Sequence, residues 1–268
     1  MGHGYSVPKN WLPQFREAFR TVLAAPSADP TRQMTEPEPA PGAPPAPSDS
    51  EAAHAAAPGD PGNPVDLPLV EVPATATSGP VLAIHLTGDG GWGVTDKGIG
   101  KELAAAGVPV VGWNSLRYFW QRRDPDEAAR DLERVMRHYL AAWGKEKAIL
   151  IGYSFGADVL PFVFNRLPAD LQARVPVIVL IGPSADASFE FHLGEWFGRR
   201  GENVAYPVAP EIARMSGAKL FCFCGEDDKE AICAQLDPAQ VTSVTLSGGH
   251  RIGDRFDSIV QRILGALP

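Results

Sequence analysis

An apolar run, Ile149-Leu150-Ile151, leads straight into Gly152-Tyr153-Ser154-Phe155-Gly156, and a helical stretch, Ala157 to Asn165, leads straight out. Strand, tight turn and helix in that order leave the chain few architectures. Such a turn is the nucleophile elbow: the serine is forced into a strained backbone conformation, and its hydroxyl is held clear of the sheet. The flanking glycines have no Cβ to clash where neighbouring backbone comes close. The hydroxyl is then expected at a helix N-terminus, where backbone N–H groups favour developing negative charge. Five residues alone also fit a helix start with no chemistry. The strand before and the helix after point to the elbow.

The chain on either side repeats this alternation. Val81 to Leu86, Val108 to Trp113, Ala148 to Gly152, Val175 to Ile181, Lys219 to Phe223 and Val241 to Leu246 read as strands. Between them, Asp96 to Ala106 reads as a helix closed by Gly107, and Ile252 to Leu264 as a closing helix. Asp124-Pro125-Asp126-Glu127 carries the signals of a helix start: an Asp cap, Pro at the first helical position, Glu three residues after the cap. That helix is expected to run to about Trp143. Apolar strands separated by helices predict an α/β protein with a mostly parallel sheet of about six strands, covered by helices on both faces. With the elbow, this predicts an α/β-hydrolase fold.

Composition divides the chain. Residues 26–79 are rich in Pro and Ala, as in Ala43-Pro44-Pro45-Ala46-Pro47, and lack the apolar side chains needed to offset chain entropy. They read as an extended linker. In residues 1–25, Trp11, Leu12, Phe15, Phe19, Val22 and Leu23 recur at helical spacing. This reads as a short amphipathic helix: a docking or membrane-surface element or, because a linker normally joins two things, the remnant of a preceding domain. Residues 80–268 form the folded domain.

A serine nucleophile needs a base. Of the six histidines, His3 and His54 lie in the tail and linker, His138 on a helix surface, and His192 in an irregular insertion. His85 sits inside a strand and reads as a core residue or one behind the site. His250 follows the last strand, where this fold carries its catalytic histidine. The acid is expected after the strand before it, in Cys224-Gly225-Glu226-Asp227-Asp228. Spacing from the glycine favours Asp228, with Asp227 as the alternative. Two N–H groups should hold a developing oxyanion: that of Phe155, and one from Asp89 or Gly90 in the loop Thr87-Gly88-Asp89-Gly90-Gly91-Trp92-Gly93. That loop matches neither dinucleotide nor P-loop patterns. Asp158, one helical turn after Ser154, either faces the pocket or pairs with an arginine. In the pocket, Asp158 and Asp89, with Trp92, would favour a cationic substrate group.

The net charge of −8 argues against a nucleic-acid partner. No apolar stretch approaches the ~20 residues of a membrane span. Residues 1–25 show no signal-peptide pattern, so the chain is expected to be soluble: cytosolic, or a mature or excised piece of something longer. Cys222, Cys224 and Cys233 fall close together around the acidic loop. Either Cys222 or Cys224 bridges to Cys233, which implies an oxidising compartment, or all three are buried thiols. No histidine sits at ligand spacing beside them, so no metal is expected, and the chemistry calls for no cofactor.

Three separated motifs resemble the VirJ/AcvB family of bacterial virulence proteins: Leu86-Thr87-Gly88-Asp89-Gly90-Gly91-Trp92, Ser115-Leu116-Arg117-Tyr118-Phe119-Trp120, and Gly152-Tyr153-Ser154-Phe155-Gly156-Ala157-Asp158-Val159-Leu160-Pro161. The resemblance covers about Pro80 to the C-terminus. It implies a periplasmic protein, with Ser154 and His250 at the family's nucleophile and base. It implies hydrolysis of an aminoacyl ester on a phospholipid, of the lysyl-phosphatidylglycerol type, with peripheral membrane contact, or a tie to type IV secretion components. The insertion from Ser184 to Met215, with Phe189, Phe191, Trp196, Phe197 and Tyr206, is then expected to form a lid or a lipid-facing rim. A general carboxylesterase or thioesterase, and a non-enzymatic periplasmic factor, are the competing readings.

Overall fold

The structure, a computed structural model, describes residues 64–190, 206–253 and 255–268. All of these belong to one folding unit, residues 55–268. The amphipathic stretch in residues 1–25 and most of the Pro/Ala-rich segment lie outside the described residues.

Seven strands form the main sheet: β1 (Leu69–Val72), β2 (Val81–Leu86), β3 (Val110–Trp113), β4 (Lys147–Tyr153), β5 (Val177–Ile181), β8 (Lys219–Gly225) and β9 (Val241–Leu246). Their order is β1-β3-β2-β4-β5-β8-β9, so β4 lies at the centre. All neighbours are parallel except β1, which pairs antiparallel with β3. A second, two-stranded pairing joins β6 (Asp186–Ala187) to β7 (Tyr206–Pro207).

Among the described residues, seven α-helices accompany the sheet: α1 (Val94–Ala105), α2 (Ser115–Tyr118), α3 (Pro125–Ala142), α4 (Phe155–Phe164), α5 (Ala169–Gln172), α6 (Val208–Arg214) and α7 (Phe256–Leu264). Every residue of β2 and β5 is buried, as strands covered on both faces require. Alternate residues serve opposite cores. Leu82, Ile84 and Leu86 join Leu132, Val135 and Met136 of α3 and Val159 and Val163 of α4. Val81 and Ala83 join Ile99 and Leu103 of α1 and Ile259 and Ile263 of α7.

The expected strands are all present, β2 and β9 with the expected ends and the other four with one or both ends shifted. Helix α3 starts as its sequence dictates: the Asp124 carboxylate accepts from the Glu127 N–H at 2.7 Å, and Pro125 opens the helix. The closing helix begins at Phe256 and not at Ile252, because Ile252 has φ +47°, a left-handed conformation that no helix contains. The linker reading of residues 26–79 needs correction at its C-terminal end. Its last part folds with the domain, because Leu69–Val72 supplies the main-chain partners of β3. Those four residues are too few to stand out among the surrounding prolines. Their pairing with β3 makes them a strand.

Candidate active site

Ser154 sits between β4 and α4 with φ 52° and ψ −120°, a conformation that L side chains rarely adopt. The glycines beside it explain the turn. A Cβ on Gly152 would lie 2.5 Å from the Gly156 carbonyl oxygen, and one on Gly156 only 2.2 Å from that of Leu86. Helix α4 thus packs backbone to backbone against its own strand and against β2. The Ser154 N–H donates to Ile181 O at 2.8 Å, which ties the turn to β5.

The loop after β9 brings His250 to this serine. His250 Nε2 lies 2.8 Å from Ser154 Oγ, and His250 Nδ1 lies 2.8 Å from Asp228 Oδ2. The imidazole is partly open to solvent, whereas the Asp228 side chain is only 4% exposed. Of the two adjacent acids, Asp228 carries its carboxylate to the histidine, and Asp227 is exposed. The acid and base loops are locked together by backbone. Glu226 N–H donates to Leu246 O at 2.8 Å, and Asp227 N–H to Gly248 O at 3.0 Å. The Cys222–Cys233 disulfide closes the loop that holds Asp228, and Cys224 remains a buried thiol.

The serine opens into a cleft of about 350 Å³, lined by Gly88, Asp89, Thr95, Tyr153, His250 and Arg251 among others. Phe155 is the first residue of α4, so its N–H has no carbonyl partner inside the helix. Opposite it, the glycine-rich loop comes closest to the serine at Gly88, where a Cβ would lie 3.4 Å from Ser154 Cβ. Gly90, expected beside Asp89 as a donor, lines the cleft further out, with nothing within 4 Å of its Cβ position. Asp89 is exposed at the mouth.

Two expected substrate contacts are corrected. Trp92 turns inward. Its ring fills the space left by Gly112, whose Cβ would lie 2.3 Å from Trp92 Cζ3, and it meets the His85 ring edge-on at 5.8 Å. Asp158 is 8% exposed, and among the described residues it pairs with no arginine. It accepts from Ser184 N–H at 2.6 Å and from Ser184 Oγ at 2.7 Å, so both oxygens are occupied. Burial pushes this carboxyl up to about 7, against the lowering effect of the two Ser184 hydrogen bonds.

Behind the oxyanion loop, fully buried His85 lies 3.2 Å from Asp96 Oδ1. The contact is close enough for an ion pair, but it falls off the line of a good hydrogen bond, and among the described residues neither atom has another hydrogen-bond partner. Asp96 Oδ2 accepts from Gly93 N–H at 3.0 Å and so holds the end of the loop. Phe189 and Tyr206, expected on a rim, pack inward with Phe119 and Phe162 at ring separations of 5.5–5.8 Å. Phe191, Trp196 and Phe197 lie outside the described residues. No cluster of three or more metal-ligating side chains occurs among the described residues.

A strained serine after the central strand, an aspartate after β8 and a histidine after β9, brought together on a mostly parallel sheet, are the arrangement of the α/β-hydrolase class. Solved structures share this fold. An esterase domain from Rhodothermus marinus matches with a TM-score of 0.51 at 18% identity, over 73% of this chain and 89% of its own. Est1E from Butyrivibrio proteoclasticus matches with a TM-score of 0.54 at 9% identity, over 74% and 93%. MenH from S. aureus matches with a TM-score of 0.53 at 14% identity, over 74% and 97%. Among curated proteins, none matches this chain. Residues 80–268 match the family described as bacterial virulence protein (VirJ), and the chain belongs to that family.

Proposed function

We propose that this protein is a serine ester hydrolase with Ser154, His250 and Asp228 as its triad. The observation that carries the proposal is the pair of 2.8 Å contacts that link Ser154 Oγ, His250 and Asp228 at a strained elbow. His250 Nε2 takes the serine proton as Oγ attacks the ester carbonyl carbon. Asp228 holds the imidazole by Nδ1 and stabilises the imidazolium that forms. The Phe155 N–H and a loop N–H at Asp89 stabilise the oxyanion. Collapse of the tetrahedral intermediate expels the alcohol, which takes the proton from His250. Water, activated by the same histidine, then releases the acyl group.

We further propose that the acyl group is cationic, an aminoacyl ester of a phospholipid of the lysyl-phosphatidylglycerol type. Membership of the VirJ family supports this, and so does Asp89, whose carboxylate stands at the mouth of the cleft beside the nucleophile. The proposed setting is the periplasm. The Cys222–Cys233 disulfide supports an oxidising compartment. Among the described residues, no helix is long and apolar enough to cross a membrane, so lipid would be met at the surface.

Release of free lysine from lysyl-phosphatidylglycerol vesicles tests both levels. The expected result is release by the wild type and none by Ser154→Ala. Activity on short acyl esters without lysine release would leave a general carboxylesterase or thioesterase. No turnover of either, with function in secretion kept by Ser154→Ala, would leave a non-enzymatic factor.

A further inference from the structure

The turn that follows β5, Ile181-Gly182-Pro183-Ser184, touches all three members of the triad. Ile181 O accepts the Ser154 N–H at 2.8 Å. Gly182 has φ +62°, and a Cβ there would lie 3.0 Å from His250 Cε1 and 3.5 Å from Asp228 Oδ2. The turn is therefore the floor on which the imidazole and its acid rest. On its β8 side it is held by backbone: Gly182 N–H donates to Phe223 O at 2.8 Å, and Pro183 O accepts from Ile232 N–H at 2.9 Å. On its α4 side, Ile181 O accepts the Ser154 N–H, and beyond Gly182 the hydrogen bonds found among the described residues are those that Asp158 accepts from Ser184 N–H and Oγ.

Among the described residues, no cationic side chain contacts the buried carboxyl of Asp158, and the hydrolytic steps above make no use of it. It lies one helical turn beyond Ser154, on the element that the elbow itself starts. A carboxylate in such a place has lost most of its hydration, and a neutral side chain would be easier to bury. What it does there is join two pieces of backbone: the helix that carries the nucleophile and the turn that seats the base.

We propose that Asp158 is a positioning residue, which clamps the Gly182–Ser184 turn to α4 so that His250 stays aligned between Ser154 and Asp228. It acts through Ser184 and touches no substrate. The proposal rests on the serine-hydrolase reading and goes beyond it. An asparagine retains the clamp, because its carbonyl accepts the Ser184 N–H while its amide donates to Ser184 Oγ. An alanine removes it.

The rate at which a fluorophosphonate modifies Ser154 tests this, since that reaction depends on the nucleophile, its base and the oxyanion donors and on no lipid contact. Hydrolysis of a short acyl ester, analysed as kcat and KM, accompanies it. Asp158→Ala is expected to slow labelling and kcat at least tenfold with KM unchanged, and Asp158→Asn to stay within threefold of the wild type. Ser184→Ala, which removes one bond at a partly exposed residue, is expected to slow labelling severalfold. It supplies the test if Asp158→Ala does not fold. The double variant Asp158→Ala/Ser184→Ala is expected to be no slower than Asp158→Ala alone. Labelling of Asp158→Ala at the wild-type rate, Asp158→Asn as slow as Asp158→Ala, or Ser184→Ala at full rate would overturn the proposal while the hydrolase reading stands. A wild type that is never labelled at Ser154 would overturn both.

Discussion

Cys222 is joined to Cys233 across a sequence separation of 11, and Asp228 lies inside the loop that this bond closes. Cys222 sits in the fully buried part of β8, so one end of the loop is anchored in the core. The other end, Cys233, is also buried, and its carbonyl accepts from Ser243 Oγ at 2.7 Å. The bond therefore restrains the loop that delivers the acid. Closing a loop of this size in the unfolded chain corresponds to about 3 kcal/mol. Thermal unfolding with and without dithiothreitol is expected to show a lower midpoint in reductant, with slower fluorophosphonate labelling. Cys224→Ala is expected to leave that reductant effect in place, because Cys224 is outside the bridge. A midpoint indifferent to reductant would refute the stabilising role.

Asp228 and Asp227 are adjacent but unequal. Asp228→Asn removes the charge that stabilises the imidazolium and the tautomer that Nδ1–H requires, and it is expected to lower kcat by about a thousandfold or more. Asp227→Asn alters an exposed side chain and is expected to stay within about threefold. Steady-state kinetics of the two variants on one short ester would decide the assignment. Equal losses would contradict it.

Trp92 and Gly112 form a knob and its hole. Trp92→Ala opens a cavity against β3 and is expected to cost about 3 kcal/mol of stability by urea unfolding. Gly112→Ala drives a methyl into the ring and is expected to destabilise as well. If Trp92 instead held substrate, its loss would raise KM and leave stability intact.

The buried carboxyl of Asp158 makes stability depend on pH. It holds its proton up to about 7 in the folded protein, against an ordinary value of 3.8. Between those limits the folded protein keeps a proton that the unfolded chain has released. The contribution is therefore fully present below 3.8 and is lost as pH rises through about 7. Asp158→Asn has no such slope. Denaturant midpoints at pH 5 and pH 8 are expected to shift in favour of the variant at the higher pH. A constant difference between the two proteins would show that the carboxyl does not titrate in this range.

The elbow and the strands were legible because their signals are local. An apolar run, Gly-x-Ser-x-Gly and a helical stretch in succession point to the elbow, and fully buried strands such as β2 and β5 announce themselves by composition. Ser154, His250 and the acidic loop followed from their places at strand ends. Asp158 and Trp92 were misplaced for a common reason. Each stands in a segment that reaches the cleft, but their partners come from elsewhere in the chain: Ser184 from the turn after β5 and Gly112 from within β3. Nothing within one segment tells whether a side chain turns toward the cleft or away from it. Strand β1 was hidden because an edge strand needs only four residues when a neighbour supplies the hydrogen bonds. The role of Gly182 had a signal, a Gly-Pro turn directly after a buried strand. Its contact with His250 depends on the tertiary fold.

That edge strand separates two boundaries that are easily taken as one. The family match begins at residue 80, whereas the sheet begins at Leu69. A chain trimmed to 80–268 would leave the backbone groups of Val110 to Trp113 without the partners that β1 provides. A bare, apolar edge invites pairing with another molecule. Such a truncation is expected to self-associate on size-exclusion chromatography, and one that begins at residue 64 is expected to run as a single species. The stretch that matches the family is thus shorter than the sheet it belongs to, and the missing piece is an edge that shields it.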